Sequence, residues 1–293
     1  MSKFVISGFA DEAAKYVDDQ MDILDPIGIR YIELRGCGDK YIGDLTKEEG
    51  EALAKKLADR GYKVSAIGSG VGKTRIDSNM DAHFAYFKNN LLMAQIFNAP
   101  YIRMFSFYPD AAGTPVSRYR DRIMFQWERY IREADKVGVK LLHENEGGIY
   151  GQYPFACLDL AETLGIGLIF DPANFIQSGT YPFPDAFRIL QKHVKYMHIK
   201  DCRMSDGQVQ PCGYGDGKLE QIFTELDKQG YEGFLSLEPH LSKFDGFDGL
   251  EFEGGKKQAI FAMEASGAKT YNIAAEALFA SLRKVGLEPS FDF

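Results

Sequence analysis

A single-domain (β/α)8 barrel is the fold this sequence predicts, and three observations predict it. Strand-like and helix-like stretches alternate eight times along 293 residues, the pattern of parallel strands joined by crossover helices. Glycine follows most of the helical stretches, and the left-handed conformation that ends a helix is cheap only for Gly. Polar residues close several strands rather than one. A doubly wound open sheet would gather its chemistry at a single switch point, whereas a barrel gathers it at the carboxyl ends of many strands. One barrel spans the whole chain, residues 1–293, with no interdomain linker or low-complexity segment.

The first strand is Phe4 to Gly8, and a helical run from about Glu12 closes near Gly28, with a strand from Ile29 to Leu34 directly after it. Thr46 and Glu49 have the capping-box spacing, in which hydroxyl and carboxylate satisfy the free N–H groups of a helix start. That helix ends at Gly61, before the strand Lys63 to Ile67. A helix from about Ser78 to Phe97 precedes the strand Tyr101 to Phe105, and one from about Ser117 to Val137 precedes Val139 to Glu144. Helix and strand then alternate as Phe155 to Leu164 with Ile166 to Asp171, Pro184 to Lys192 with Val194 to Lys200, and Lys218 to Gln229 with Phe234 to Glu238. A long helix from about Lys257 to Lys284 closes the chain.

Hydrophobic residues at 45% and charged residues at 26% exclude disordered and fibrous classes. The 22 Phe and 16 Tyr suit either a large core or aromatic pocket walls. A net charge of −8 argues against nucleic acid as a partner, since phosphate binding rests on clustered Lys and Arg. The amino terminus runs straight into strand-like sequence, without the apolar segment of a signal peptide or membrane span. Cys37, Cys157, Cys202 and Cys212 form no C-x-x-C pair, which fits a reducing compartment. A cytoplasmic location is expected.

Side chains two apart on a strand share a face. Leu142 and Glu144 share one in the fifth strand, Ile169 and Asp171 in the sixth, His198 and Lys200 in the seventh, Ser236 and Glu238 in the eighth. With these faces inward, Glu144, Asp171, His198 and Glu238 converge at the carboxyl-terminal mouth, where barrel enzymes place their active sites. Three crowded carboxylates raise each other's pKa unless a cation compensates them. One divalent metal ion, Mn²⁺, Mg²⁺, Co²⁺ or Zn²⁺, is the economical reading of an oxygen-rich set with one nitrogen. The plainer reading makes each an ordinary strand-end residue in a salt bridge.

Four short pieces, Leu142-His143-Glu144-Asn145, Phe170-Asp171-Pro172-Ala173-Asn174, Met197-His198-Ile199-Lys200-Asp201 and Leu237-Glu238-Pro239-His240, carry a resemblance. In this order the sequence resembles the sugar phosphate isomerase/epimerase group of xylose-isomerase-like TIM barrels, whose relatives include ketose 3-epimerases, inosose dehydratases and endonuclease IV. The resemblance implies a divalent metal held by Glu144, Asp171, His198 and Glu238, with Glu144 and Glu238 also acting as the acid–base pair. It implies proton transfer on a ketose, an aldose or a related polyol ketone through a metal-stabilised enediolate, in an isomerase or epimerase. An inosose-type dehydratase on the same metal site is the alternative. An endonuclease IV-like nuclease is disfavoured, because Asn174 stands where many relatives carry histidine and Glu33 and Ser69 have no histidine nearby.

Asn174 is expected to bind a substrate hydroxyl or cap a turn. Lys200 is a candidate to neutralise an oxyanion or carboxylate, or a solvated strand-end lysine; Arg203 resembles an arginine that some epimerases place near the sugar, with different spacing. Glu33 is expected to bind a hydroxyl or pair with Arg35 or Arg103, and His240 to be a partner behind the ligands or a loop residue. His143 and Asp201 alternate away from the site and read as structural, and His83 and His193 need no function. Phe105 to Tyr108 and Phe244 to Gly249 read as walls for a sugar or polyol, or as a seal in a homo-oligomer. The glycine-rich run Gly68 to Thr74 is no nucleotide loop, since Ile67 stands where that motif needs glycine.

Overall fold

Short apolar runs, each bounded by turn residues, give strands that are buried on both faces, as parallel sheets require. In chain order the strands are β1 (Lys3–Gly8), β2 (Tyr31–Leu34), β3 (Lys63–Ile67), β4 (Tyr101–Met104), β5 (Lys140–Glu144), β6 (Gly167–Phe170), β7 (Val194–Ile199), β8 (Asp201–Cys202), β9 (Val209–Gln210) and β10 (Glu232–Leu237). A computed structural model describes residues 2–111, 113–242 and 266–293. All but β8 and β9 form one eight-stranded parallel sheet in the order β1-β10-β7-β6-β5-β4-β3-β2. The sheet curls into a nearly closed barrel. β8 and β9 pair antiparallel in a separate hairpin after β7.

One side chain from each barrel strand fills the interior: Val5, Tyr31, Ala66, Tyr101, Leu142, Ile169, Tyr196 and Phe234. Two residues further on, at the next inward position, stand Ser7, Glu33, Gly68, Arg103, Glu144, Asp171, His198 and Ser236. The period of two thus carries an apolar plug into a polar mouth. The outward faces, among them Ile6, Ile32, Ile102, Leu168 and Met197, pack into the larger core beneath the helices.

Helices α1 (Val17–Leu24), α2 (Lys47–Asp59), α3 (Met80–Ile96), α4 (Arg120–Asp135), α5 (Pro154–Leu164), α6 (Pro172–Gln177), α7 (Phe187–Leu190), α8 (Leu219–Lys228) and α9 (Gly267–Lys284) complete the chain. The capping box at α2 forms in both directions, with Glu49 N donating to Thr46 Oγ1 at 3.2 Å and Thr46 N to Glu49 Oε2 at 2.8 Å. None of the described helices is long and apolar enough to cross a membrane. The expected first helix, Glu12 to Gly28, is instead a 3-10 turn at Ala10–Glu12, α1, and a second 3-10 turn at Asp25–Ile27. Asp11 and Glu12 are drawn into the barrel mouth by Arg35, which breaks the run. The helix expected over Pro184 to Lys192 contracts to α7 after a π-type turn at Pro182–Ala186. α6 and the hairpin were not expected; Asp171 caps α6 by accepting from Asn174 N at 2.9 Å, with Pro172 in its first turn. The start of the expected last helix and the Phe244 to Gly249 wall lie outside the described residues.

β1 and β2 lie beside each other without a ladder. Ser290 fills that gap: Ile6 N donates to Ser290 O at 2.8 Å and Ser290 N to Phe4 O at 2.9 Å. Phe293 then packs on Phe234 at 4.8 Å between ring centroids, beneath the barrel.

The glycine-rich loop after β3 is tied by His83 of α3, whose Nε2 accepts from Gly72 N at 2.8 Å. Gly72 is required there: its φ is +90°, and a Cβ would meet Phe105 O at 2.1 Å. Burial lowers the His83 pKa to about 4. The folded chain therefore holds His83 neutral while the unfolded chain protonates it near the usual 6.5, so stability present above that pH is lost as pH falls from about 6.5 towards 4. Melting temperatures of wild type and His83→Gln across this range are expected to converge at the acid end, because glutamine offers an acceptor without a proton to bind.

Candidate metal centre

The four ligand candidates come together. Glu144 ends β5, Asp171 follows β6, His198 lies in β7 and Glu238 follows β10, and each offers an atom such that all four lie within 4.8 Å of one another. All four are buried. Adjacent strands set this arrangement through register, which places Glu144 beside Ile169 and His198 beside Ser236.

His198 is the hub. Its Nδ1 lies 2.9 Å from Glu144 Oε1 and 3.3 Å from Glu238 Oε2, while Nε2 faces Glu33 at 3.2 Å from Oε2. Glu33 also accepts from Ser236 Oγ at 2.6 Å and Tyr196 Oη at 2.8 Å. An Nε2–H bond to Glu33 would leave the Nδ1 lone pair directed at the carboxylates, the arrangement by which an outer carboxylate orients a metal-binding imidazole. Burial opposes a charge on His198, but Glu144, Glu33 and Glu238 outweigh it and raise its pKa well above the usual value. The cluster thus favours a cation at Nδ1.

Arg103 Nη1 donates to Glu144 Oε2 at 3.2 Å and lies 3.6 Å from Glu238 Oε1. Burial disfavours the Glu144 anion, yet His198 and Arg103 hold its pKa down to about 2. For Glu238 burial is likewise outweighed, by Lys200 and His198, and its pKa lies well below the usual range. Asp171 differs: burial raises it to about 6 against the pull of Lys200. Its Oδ1 caps α6, and its Oδ2 accepts no hydrogen bond.

Around this set, Arg35 binds Asp11 at 2.8 and 3.0 Å, Glu12 at 3.1 Å and Glu238 at 3.1 Å. Among the described residues, six buried carboxylates at the mouth (Asp11, Glu12, Glu33, Glu144, Asp171, Glu238) meet three permanent cations, Arg35, Arg103 and Lys200. The surplus of negative charge, the one imidazole and an Asp171 Oδ2 that accepts no hydrogen bond and meets only the Lys200 ammonium at 2.8 Å fit a divalent ion bound by three carboxylates and a histidine. His240 stands behind Glu238, 3.3 Å from Glu12 Oε1 and 3.6 Å from Glu238 Oε1.

The other candidates separate. Asn174 is buried and donates to Asn145 O at 2.9 Å and to Glu144 Oε1 at 3.4 Å, while its Oδ1 has no hydrogen-bond partner. Lys200 is 3% exposed, so it is no solvated lysine. Glu33 pairs with His198 rather than with Arg35 or Arg103. Arg203 turns to Asp206 and Gln208 in the hairpin and takes no part in the cluster. Phe105 is fully buried under Lys73 and Arg103, with cation-to-ring distances of 4.5 and 5.1 Å. His143 packs toward Trp127 of α4 and meets Ser106 Oγ at 2.9 Å, away from the mouth as expected. Asp201 accepts from the amides of Cys202, Gly213, Gly215 and Gly217 and so pins the loop after β7. Sequence reasoning missed Asp11 and Glu12; their only signal was that they follow the carboxyl end of β1, the same end of the barrel.

The family model of the xylose isomerase-like TIM barrel matches residues 22–260. The chain belongs to that family. The inosose dehydratase of Clostridium perfringens is 29% identical over 128 residues, a match that spans 36% of this xylose isomerase-like chain and 42% of that protein. Among solved structures, an L-ribulose 3-epimerase superposes with a TM-score of 0.71 at 18% identity, covering 97% of this chain and 96% of that one. The IOLI protein, solved with a binding zinc atom, superposes with a TM-score of 0.74 at 14% identity, covering 96% and 99%. Likeness at these identities speaks to the shared fold.

Proposed function

We propose that the chain is a divalent-metal-dependent isomerase or epimerase of a ketose, an aldose or a related polyol ketone, working by proton transfer beside a carbonyl. The observation that carries this reading is the convergence of Glu144, Asp171, His198 and Glu238 at the carboxyl-terminal mouth of the barrel. A divalent ion held by these four would polarise the carbonyl and stabilise the charge that develops on its oxygen. Mn²⁺, Mg²⁺, Co²⁺ and Zn²⁺ all suit three oxygens and one nitrogen, and the zinc in the IOLI structure supports a metal in this kind of barrel.

Glu144 and Glu238 supply the acid–base pair. Both face His198 Nδ1 and both lie against Arg103, so they are held ionised and at a fixed spacing. One, as the carboxylate, takes the proton next to the carbonyl; the other, once it has picked up a proton from water, delivers that proton to the opposite face in an epimerisation or to the adjacent carbon in an isomerisation. Asn174 Oδ1, a buried acceptor without a donor, suits a substrate hydroxyl.

The inosose dehydratase match favours a second reading on the same residues: removal of the same kind of proton, followed by loss of a neighbouring hydroxyl as water. A nuclease has less support, because among the described residues the mouth cations Arg35, Arg103 and Lys200 are each bound to carboxylates rather than turned out toward phosphates.

The test is solvent exchange. Incubated with Mn²⁺ and a panel of ketoses and inososes in D₂O, the protein is expected to place deuterium on the carbon beside the carbonyl of its substrate. A product isomeric with the substrate assigns the isomerase or epimerase, and a product lighter by one water assigns the dehydratase. Absence of exchange and of product across the panel overturns both.

A further inference from the structure

Lys200 is the cation nearest the atom that Asp171 has to offer. Asp171 Oδ1 is committed to the N-cap of α6, accepting from Asn174 N at 2.9 Å, so only Oδ2 remains for a metal. Lys200 Nζ lies 2.8 Å from that oxygen and 3.3 Å from Glu238 Oε2, the same glutamate oxygen that faces His198 Nδ1 at 3.3 Å. Its contact with Asp171 is an ion pair without hydrogen-bond alignment, since Oδ2 accepts no hydrogen bond. A lysine serving only to bind substrate would gain nothing from reaching down between two ligands. Electrostatically, an ammonium and a divalent ion cannot both sit against the same two buried oxygens without strong repulsion.

We propose that Lys200 is an internal counter-ion that the metal displaces: its ammonium neutralises Asp171 and Glu238 until a divalent ion binds, and then turns toward the open mouth, where it meets the substrate. This rests on the metal-dependent reading above. Glu146, a carboxylate that acts electrostatically on Lys200, is 17% exposed beside Lys73 and offers a more accessible counter-charge for the displaced ammonium. Lys200 thereby sets how tightly the metal is held and is delivered to the substrate only when the metal is in place.

The experiment measures Mn²⁺ binding to metal-stripped protein without substrate, by equilibrium dialysis and by the paramagnetic resonance signal of free Mn²⁺. Lys200→Met removes the charge, Lys200→Gln removes it but keeps a donor in case the methionine variant folds poorly, and Lys200→Arg keeps the charge. Lys200→Met or Lys200→Gln is expected to bind Mn²⁺ at least about tenfold more tightly than wild type, with Lys200→Arg near wild type. The metal-stripped Met and Gln variants should melt below wild type and gain more than wild type on adding Mn²⁺. Equal or weaker binding by both neutral variants, with one Mn²⁺ still bound by wild type, overturns the counter-ion proposal and leaves the metal site standing. Failure of wild type and every variant to bind overturns both.

Discussion

Glu144→Gln and Glu238→Gln are each expected to lower kcat/KM by roughly a thousandfold, within the range by which a positioned acid or base accelerates proton transfer. Glutamine keeps the shape but cannot take a proton, and it is a poorer partner for the cations that hold the carboxylates ionised, His198 and Arg103 at Glu144 and Lys200 and His198 at Glu238. Under the proposed mechanism the two losses are not expected to add, since the two glutamates would act in sequence on the same substrate. Steady-state kinetics on the substrate found by the exchange screen, together with deuterium exchange by each single variant, check this. An epimerase in which one glutamate still abstracts its proton would show exchange without inversion in one variant and neither in the other. A loss below about tenfold in both variants would remove them from the chemistry.

The largest effect on stability is expected from Arg35→Met. The guanidinium is 2% exposed and holds Asp11, Glu12 and Glu238 at once, with the Phe9 ring 4.1 Å from its centre. Methionine fills much of the space but leaves three buried carboxylates facing one another. Removing one partner of a buried ion pair typically costs about 3–5 kcal/mol, which in a chain of this size lowers Tm by roughly 10 °C. Gly36 adds to the demand on this spot: its amide donates to Asp11 Oδ2 at 3.0 Å, and a Cβ there would meet the same oxygen at 2.8 Å. Thermal unfolding checks the prediction, and a shift of only about 2 °C would show that water or rearrangement compensates the three acids.

The sequence was informative where the physics is local. A period of two along strands of four to six residues fixes which side chains share a face, and it brought Glu144, Asp171, His198 and Glu238 to one end of the barrel. Glycines after helices marked the strand starts for the same local reason. Partner choice was not local. Nothing in the neighbourhood of Glu33 says that Tyr196, Ser236 and His198 rather than Arg35 will satisfy it, because those residues lie far along the chain and meet it only after the sheet curls. The register shift between β2 and β3 at Ile32/Glu33 is equally invisible in a one-dimensional pattern. Asp11 and Glu12 fall past a strand end, in a turn whose direction is set by Arg35 in the next unit. Arg203 failed to join the cluster because the hairpin, a two-residue pairing too short to read from sequence, turns it back onto Asp206.

The bonds from Ser290 to β1 tie together residues from opposite ends of the described chain. Among the described residues, Ser290 is the partner that stitches the edge of β1 turned away from β10. Without it the sheet would carry an open flank with an unpaired amide at Ile6, and a contact of such long sequence separation is entropically costly to form. The polar mouth, whose candidate ligands lie at the ends of β5, β6, β7 and β10, does not include that stitch. A chain that lost the Ser290 bonds would thus keep the candidate ligands yet offer β1 as an edge for pairing with another chain.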